Sequence, residues 1–107
     1  SGDYLEKTFS NVFQRVADQP DALRKMLYVD SKTWLVDDLL LKADKMTMAA
    51  SVELRVPFLD HRLVETAAAL PSGMKIHHHE GKWILKKAMQ DRLPPEIVWR
   101  SKMGFPV

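Results

Sequence analysis

The 107-residue chain carries 16 Lys and Arg against 14 Asp and Glu, with 46% hydrophobic and 28% charged residues. That is the size of one small domain or of a piece of a larger one, and a net charge of +2 is too mild to argue for a nucleic-acid partner, whose footprint is a concentrated basic face. The absence of cysteine rules out disulfides and a thiol nucleophile and suits the cytoplasm, and no apolar run reaches the length that a membrane span needs.

Taken in order, Leu5, Phe9, Val12, Phe13 and Val16 recur at helical spacing, which predicts an amphipathic helix over residues 3–17. Asp3 and Glu6 have the form of a capping box, with Asp in place of Ser or Thr. Asp18-Gln19-Pro20 ends the helix, because a residue before proline is driven out of helical geometry. A second helix is expected from near Asp21, turning Leu23, Met26 and Leu27 inward, with a break or cap at Asp30-Ser31. Residues 33–50 place Leu35, Leu39, Met46 and Ala50 near one face, with Lys42, Asp44 and Lys45 among them. Asp37 and Asp38 suit the positive end of a helix starting there.

Residues 51–59, Ser-Val-Glu-Leu-Arg-Val-Pro-Phe-Leu, alternate briefly and contain a proline, so they read as an extended connector. Asp60 is a good N-cap for a helix carrying Leu63, Val64, Ala67 and Leu70. Residues 74–81 read as a short loop, Gly81-Lys82 opens a helix with Trp83, Ile84, Leu85, Ala88 and Met89, and Pro94-Pro95-Glu96 starts a last short turn. Residues 100–107 read as an irregular tail. The expected class is all-α, about five helices in a compact piece.

No glycine-rich phosphate loop and no zinc spacing occurs, and no metal site is expected. Four polar groups still stand out. Asp38 and Lys42 are four residues apart, the spacing of a helical ion pair. Glu53 and Arg55, two apart in an extended segment, point the same way; Arg55 either pins the connector to a carboxylate or faces an anion in a cleft. His77-His78-His79 cannot all converge on one ion, which favours a solvated loop. Lys102, followed by Met103-Gly104, is either a frayed end or an ammonium delivered to an anion.

Together the segments say more. Residues 37–49 (Asp-Asp-Leu-Leu-Leu-Lys-Ala-Asp-Lys-Met-Thr-Met-Ala), 51–64 (Ser-Val-Glu-Leu-Arg-Val-Pro-Phe-Leu-Asp-His-Arg-Leu-Val), 81–89 and 93–105 occur in an order that resembles the glutamine-hydrolysing asparagine synthetases. The resemblance runs from about Asp30 to the end. It implies a helical C-terminal portion of a larger α/β domain of the ATP-pyrophosphatase type. In that family a glutaminase domain releases ammonia, and the synthetase domain uses ATP and Mg²⁺ to activate aspartate as an adenylate, which ammonia converts to asparagine. The nucleophilic cysteine, the pyrophosphate loop and the general base are expected outside these residues, so the chain alone is expected to be inactive and to bind no cofactor. Its expected partners are the remainder of its own polypeptide and the substrates aspartate, ATP and ammonia, in the cytoplasm. Lys102 matches the family's tail lysine and is implied to act on pyrophosphate in the transition state. Lys42 and Arg55 are implied to face the same cleft, while Glu53 and Asp60 are implied to be structural. A relative forming another amide by the same adenylation, and a non-catalytic helical binding module, are the rival readings. Apolar faces left exposed are expected to favour non-native association.

Overall fold

The computed structural model describes residues 2–103, and helix dominates it. The chain divides into two units, residues 1–69 and 70–107.

In the first unit, α1 spans Gly2–Gln14 and α2 spans Ala22–Lys32. Asp3 lies within α1 and pairs with Lys7 at 2.9 Å rather than capping the helix, so the expected capping box does not form. The helix also stops earlier than its apolar stripe suggests. Beyond Gln14 the chain tightens, with Val16 N–H donating to Phe13 C=O and Ala17 N–H to Gln14 C=O. α2 begins where expected, and Asp21 proves to be its cap: its backbone is extended, and its carboxylate accepts the Arg24 N–H at 3.2 Å. Lys25 donates to the Ala17 carbonyl at 2.8 Å, tying α2 to the preceding turn.

Asp30-Ser31 is not a break. The Ser31 hydroxyl donates to Tyr28 C=O and the buried Thr33 hydroxyl to Val29 C=O, so these side chains back-bond within the helical run, which turns only at Thr33. A π-helical segment, Leu35–Leu40, follows and runs directly into α3, Leu41–Ala49. Leu41 N–H reaches back to Val36 C=O, the five-residue bond of a π turn.

α3 ends in a Schellman motif. Val52 N–H donates to Thr47 C=O and Ser51 N–H to Met48 C=O, both at 2.9 Å, with Ser51 left-handed at φ 57°. The connector that follows has no helix or strand until a 3₁₀ turn at Pro57–Leu59. Asp60 then caps α4, His61–Ala69, its Oδ1 accepting from Arg62 N–H at 3.0 Å and Leu63 N–H at 3.4 Å. The Arg24 guanidinium donates to Ala69 C=O at the far end of α4, which joins α2 to α4.

In the second unit, a single turn α5 (Ser72–Lys75) leads into a two-residue hairpin, β1 (Ile76–His77) and β2 (Glu80–Gly81), antiparallel with His77 opposite Glu80. This replaces the loop expected over 74–81. His78 and His79 sit at φ 45° and 66°, the left-handed pair that a tight hairpin of this kind requires. Histidine tolerates that region better than most residues. α6 (Trp83–Met89) starts after Lys82, and α7 (Pro95–Val98) starts with proline at its first position. The tail's Gly104 and Phe105 lie outside the described residues.

Among the described residues only two apolar side chains are buried, Val29 in the first unit and Val98 in the second, each 7% exposed. Tyr4, Leu5, Phe9 and Phe13 on α1, and Val52 and Phe58 on the connector, all stand exposed. The chain exposes 9357 Å², whereas two separate self-sufficient bodies the size of these units would together expose only about 7,300 Å². The helices form, but their apolar faces find little cover among the described residues.

Candidate functional site

The π segment and α3 carry the first candidate cation. Lys42 lies one residue into α3 and bonds Asp38 of the π segment, Nζ to Oδ1 at 2.8 Å. The spacing of four residues on a helical run brings the two together, as the sequence predicts. The Lys42 hydrogen bond holds the Asp38 carboxyl below its ordinary value of 3.8. The Lys42 charge and a hydrogen bond with the Trp34 side chain act in the same direction, while partial shielding from water opposes them.

The Schellman turn at Ser51 redirects the chain out of α3 and into the connector that carries the second candidate. There Arg55 bonds Glu53 at 2.8 Å, and both side chains are exposed. Side chains two apart in an extended strand share a side, so the pair follows from local geometry alone. Both candidate cations of this unit are therefore held by carboxylates of their own neighbourhood, in solvent. Exposed pairs of this kind contribute little to stability. Asp60, directly after this irregular connector, fixes its far end by capping α4.

Lys102 belongs to the second unit, exposed on a segment without regular structure beyond α7. Just before it lies a cluster that sequence reasoning missed. Trp83 and Trp99 approach to 5.7 Å between ring centroids, and His77 lies at 4.7 Å from Trp83 with a 30° tilt. Lys86 bonds Glu80 of the hairpin and stands 5.7 Å from the Trp99 ring centre. Lys87 stands 5.4 Å from that of Trp83. The signal available in the sequence was two tryptophans flanking two lysines, but their meeting depends on the hairpin, which no Asn-Gly or Asp-Gly announces. His78 and His79 remain exposed at its tip.

A depression of about 320 Å³ between α1 and α2 is lined by Phe13, Ala22, Lys25, Met26, Val29 and Asp30. None of Lys42, Arg55 or Lys102 borders it. Its walls are mostly apolar, and it belongs to the packing of these two helices rather than to the cations.

Comparison with known proteins gives these cations a context. The Asparagine synthase family model matches residues 3–107. The chain belongs to the asparagine synthase family. It is 48% identical over 85 residues to asparagine synthetase [glutamine-hydrolyzing] 1 of Bacillus subtilis (strain 168), covering 79% of this chain and 13% of that protein. Asparagine synthetase [glutamine-hydrolyzing] 3 of the same organism is 43% identical over 86 residues, 80% of this chain and 14% of that protein. The Gallus gallus asparagine synthetase [glutamine-hydrolyzing] is 38% identical over 95 residues, 86% of this chain and 16% of the relative. The chain thus spans only about a seventh of the length of these curated relatives. No solved structure matches it. The family match reaches back to residue 3, so α1 and α2 belong to the family region as much as the motif-bearing segments do. Among the described residues, no helix is long and apolar enough to cross a membrane.

Proposed function

We propose that these residues form one wall of the synthetase site of a larger, cytoplasmic, glutamine-hydrolysing asparagine synthetase, and that Lys42, Arg55 and Lys102 supply cations to that site. The observation that carries this reading is the family match over residues 3–107, combined with three exposed cations at the motif positions. In the proposed reaction a β-carboxylate oxygen of aspartate attacks the α-phosphorus of ATP. The bond from that phosphorus to the bridging oxygen breaks, and pyrophosphate leaves with the electron pair. Ammonia from glutamine then adds to the acyl carbon, loses a proton and expels AMP. Negative charge grows on the departing pyrophosphate, so fixed cations lower the barrier most when they are aimed at it.

An ammonium and a guanidinium suit phosphate oxygens, the second through its planar fork. Among the described residues no group of three His, Cys, Asp or Glu side chains is placed to hold a metal ion. Mg²⁺ is expected to arrive with the ATP phosphates, as it commonly does in sites that supply only one or two carboxylates. The exposed apolar faces support a larger partner, the remainder of the polypeptide, which would cover them. The test is ATP–pyrophosphate exchange driven by aspartate. The full-length protein should catalyse it and the 107-residue chain should not; turnover by the chain alone would refute the division of labour.

A further inference from the structure

We propose that Lys86, seated between Glu80 and Trp99, is a positioning residue that fixes where Lys102 leaves the fold; this rests on the reading of Lys102 as a pyrophosphate-binding cation. Lysine is almost never buried unless paired, yet the Lys86 side chain is only 17% exposed. Its ammonium meets two partners at once: the Glu80 carboxylate on β2, and the face of Trp99 at 5.7 Å. Those partners come from opposite ends of the second unit's sequence, the hairpin and the residue that ends α7.

Trp99 is held from other sides too. Its ring lies 5.7 Å from that of Trp83, and the preceding residue, Val98, is the unit's buried apolar anchor. Residues 100–103 have no regular structure, and only Arg100 and Ser101 separate Trp99 from Lys102. Three residues of chain span at most about 11 Å, so the place where Trp99 is clamped bounds where the Lys102 backbone can lie, and the ammonium reaches only one side-chain length beyond that. A cation that must meet a leaving group needs such a limit, since misplacement by about 1 Å can cost a hundredfold in rate. The alternative role for Lys86 is to hold α6 to the hairpin with no consequence for Lys102.

The two roles separate in a double-variant cycle on pyrophosphate binding to the full-length protein, with inorganic pyrophosphate as the probe in calorimetry. Lys86→Met and Lys102→Ala should each weaken binding about tenfold, the scale of one hydrogen bond to a charged group. The double variant should then be no weaker than Lys102→Ala alone, because Lys86 acts through Lys102. Lys86→Arg should restore binding, since a guanidinium can pair with Glu80 and stack on Trp99. Multiplying losses in the double variant, or unchanged binding in a folded Lys86→Met, overturns the proposal. Intact binding in Lys102→Ala overturns the underlying reading itself, whatever Lys86 does. Should Lys86→Met fail to fold, Glu80→Gln removes the same pair from its more exposed side and is read in the same way.

Discussion

Arg55 grips Glu53 across a single intervening residue, Nη2 to Oε1 at 2.8 Å, with the two side chains 82% and 72% exposed. So exposed a pair cannot pin the connector with much force. In the full-length protein, Arg55→Ala should change the urea-unfolding stability by less than about 0.5 kcal/mol, as surface substitutions usually do. Asparagine synthesis should nonetheless fall at least about tenfold, with Arg55→Lys recovering little of it because the planar fork is lost. A stability loss large enough to account for the activity loss would return Arg55 to a purely structural role.

Ser51 occupies the left-handed position of the Schellman motif, where glycine is the usual residue. Ser51→Gly should therefore stabilise the full-length protein, by about 0.5 kcal/mol once the extra freedom of glycine in the unfolded chain is set against the relieved strain. Ser51→Val should destabilise it, since a β-branched residue resists positive φ. Denaturant midpoints check both signs. A lower midpoint for Ser51→Gly would mean that the serine hydroxyl contributes more than the backbone strain costs.

Asp38 gives a pH signature. Its carboxyl is held below the ordinary value, first by the Lys42 hydrogen bond, so protonation favours the unfolded state. The contribution is present above the ordinary value and is lost as pH falls through the lowered one. Asp38→Asn should flatten the acid limb of the melting temperature against pH by slightly lowering the neutral plateau, with the two proteins converging at acid pH. An unaltered acid limb would show that the Asp38–Lys42 pair carries no linkage.

Most of the helical skeleton was legible in the sequence because its cues are local. The start of α2 near Asp21, the cap at Asp60, the Asp38–Lys42 and Glu53–Arg55 pairs and the proline at the start of α7 all follow from spacing within a few residues. Local cues also misled where two states compete. Asp30-Ser31 could cap or back-bond, and back-bonding kept the helix running to Lys32. Asp3 could cap or pair along the helix, and it pairs with Lys7. The π segment, the His78-His79 turn and the Lys86 cluster were not legible. Each depends on a backbone departure from the regular form or on side chains meeting across elements, and no short-range pattern encodes either. The candidate site divides in the same way: its cations were identifiable from motifs, whereas the clamp on Trp99 arises only where the hairpin, α6 and α7 meet.

The central claim is that these residues lend cations to the synthetase chemistry and not to glutamine hydrolysis. The most direct measurement is a paired assay of Lys102→Ala in the full-length protein, following asparagine formation and glutamate release separately. Asparagine formation should be abolished while glutamate release from glutamine continues at close to its original rate. Equal loss of both activities would contradict the claim and make Lys102 a residue of the fold instead.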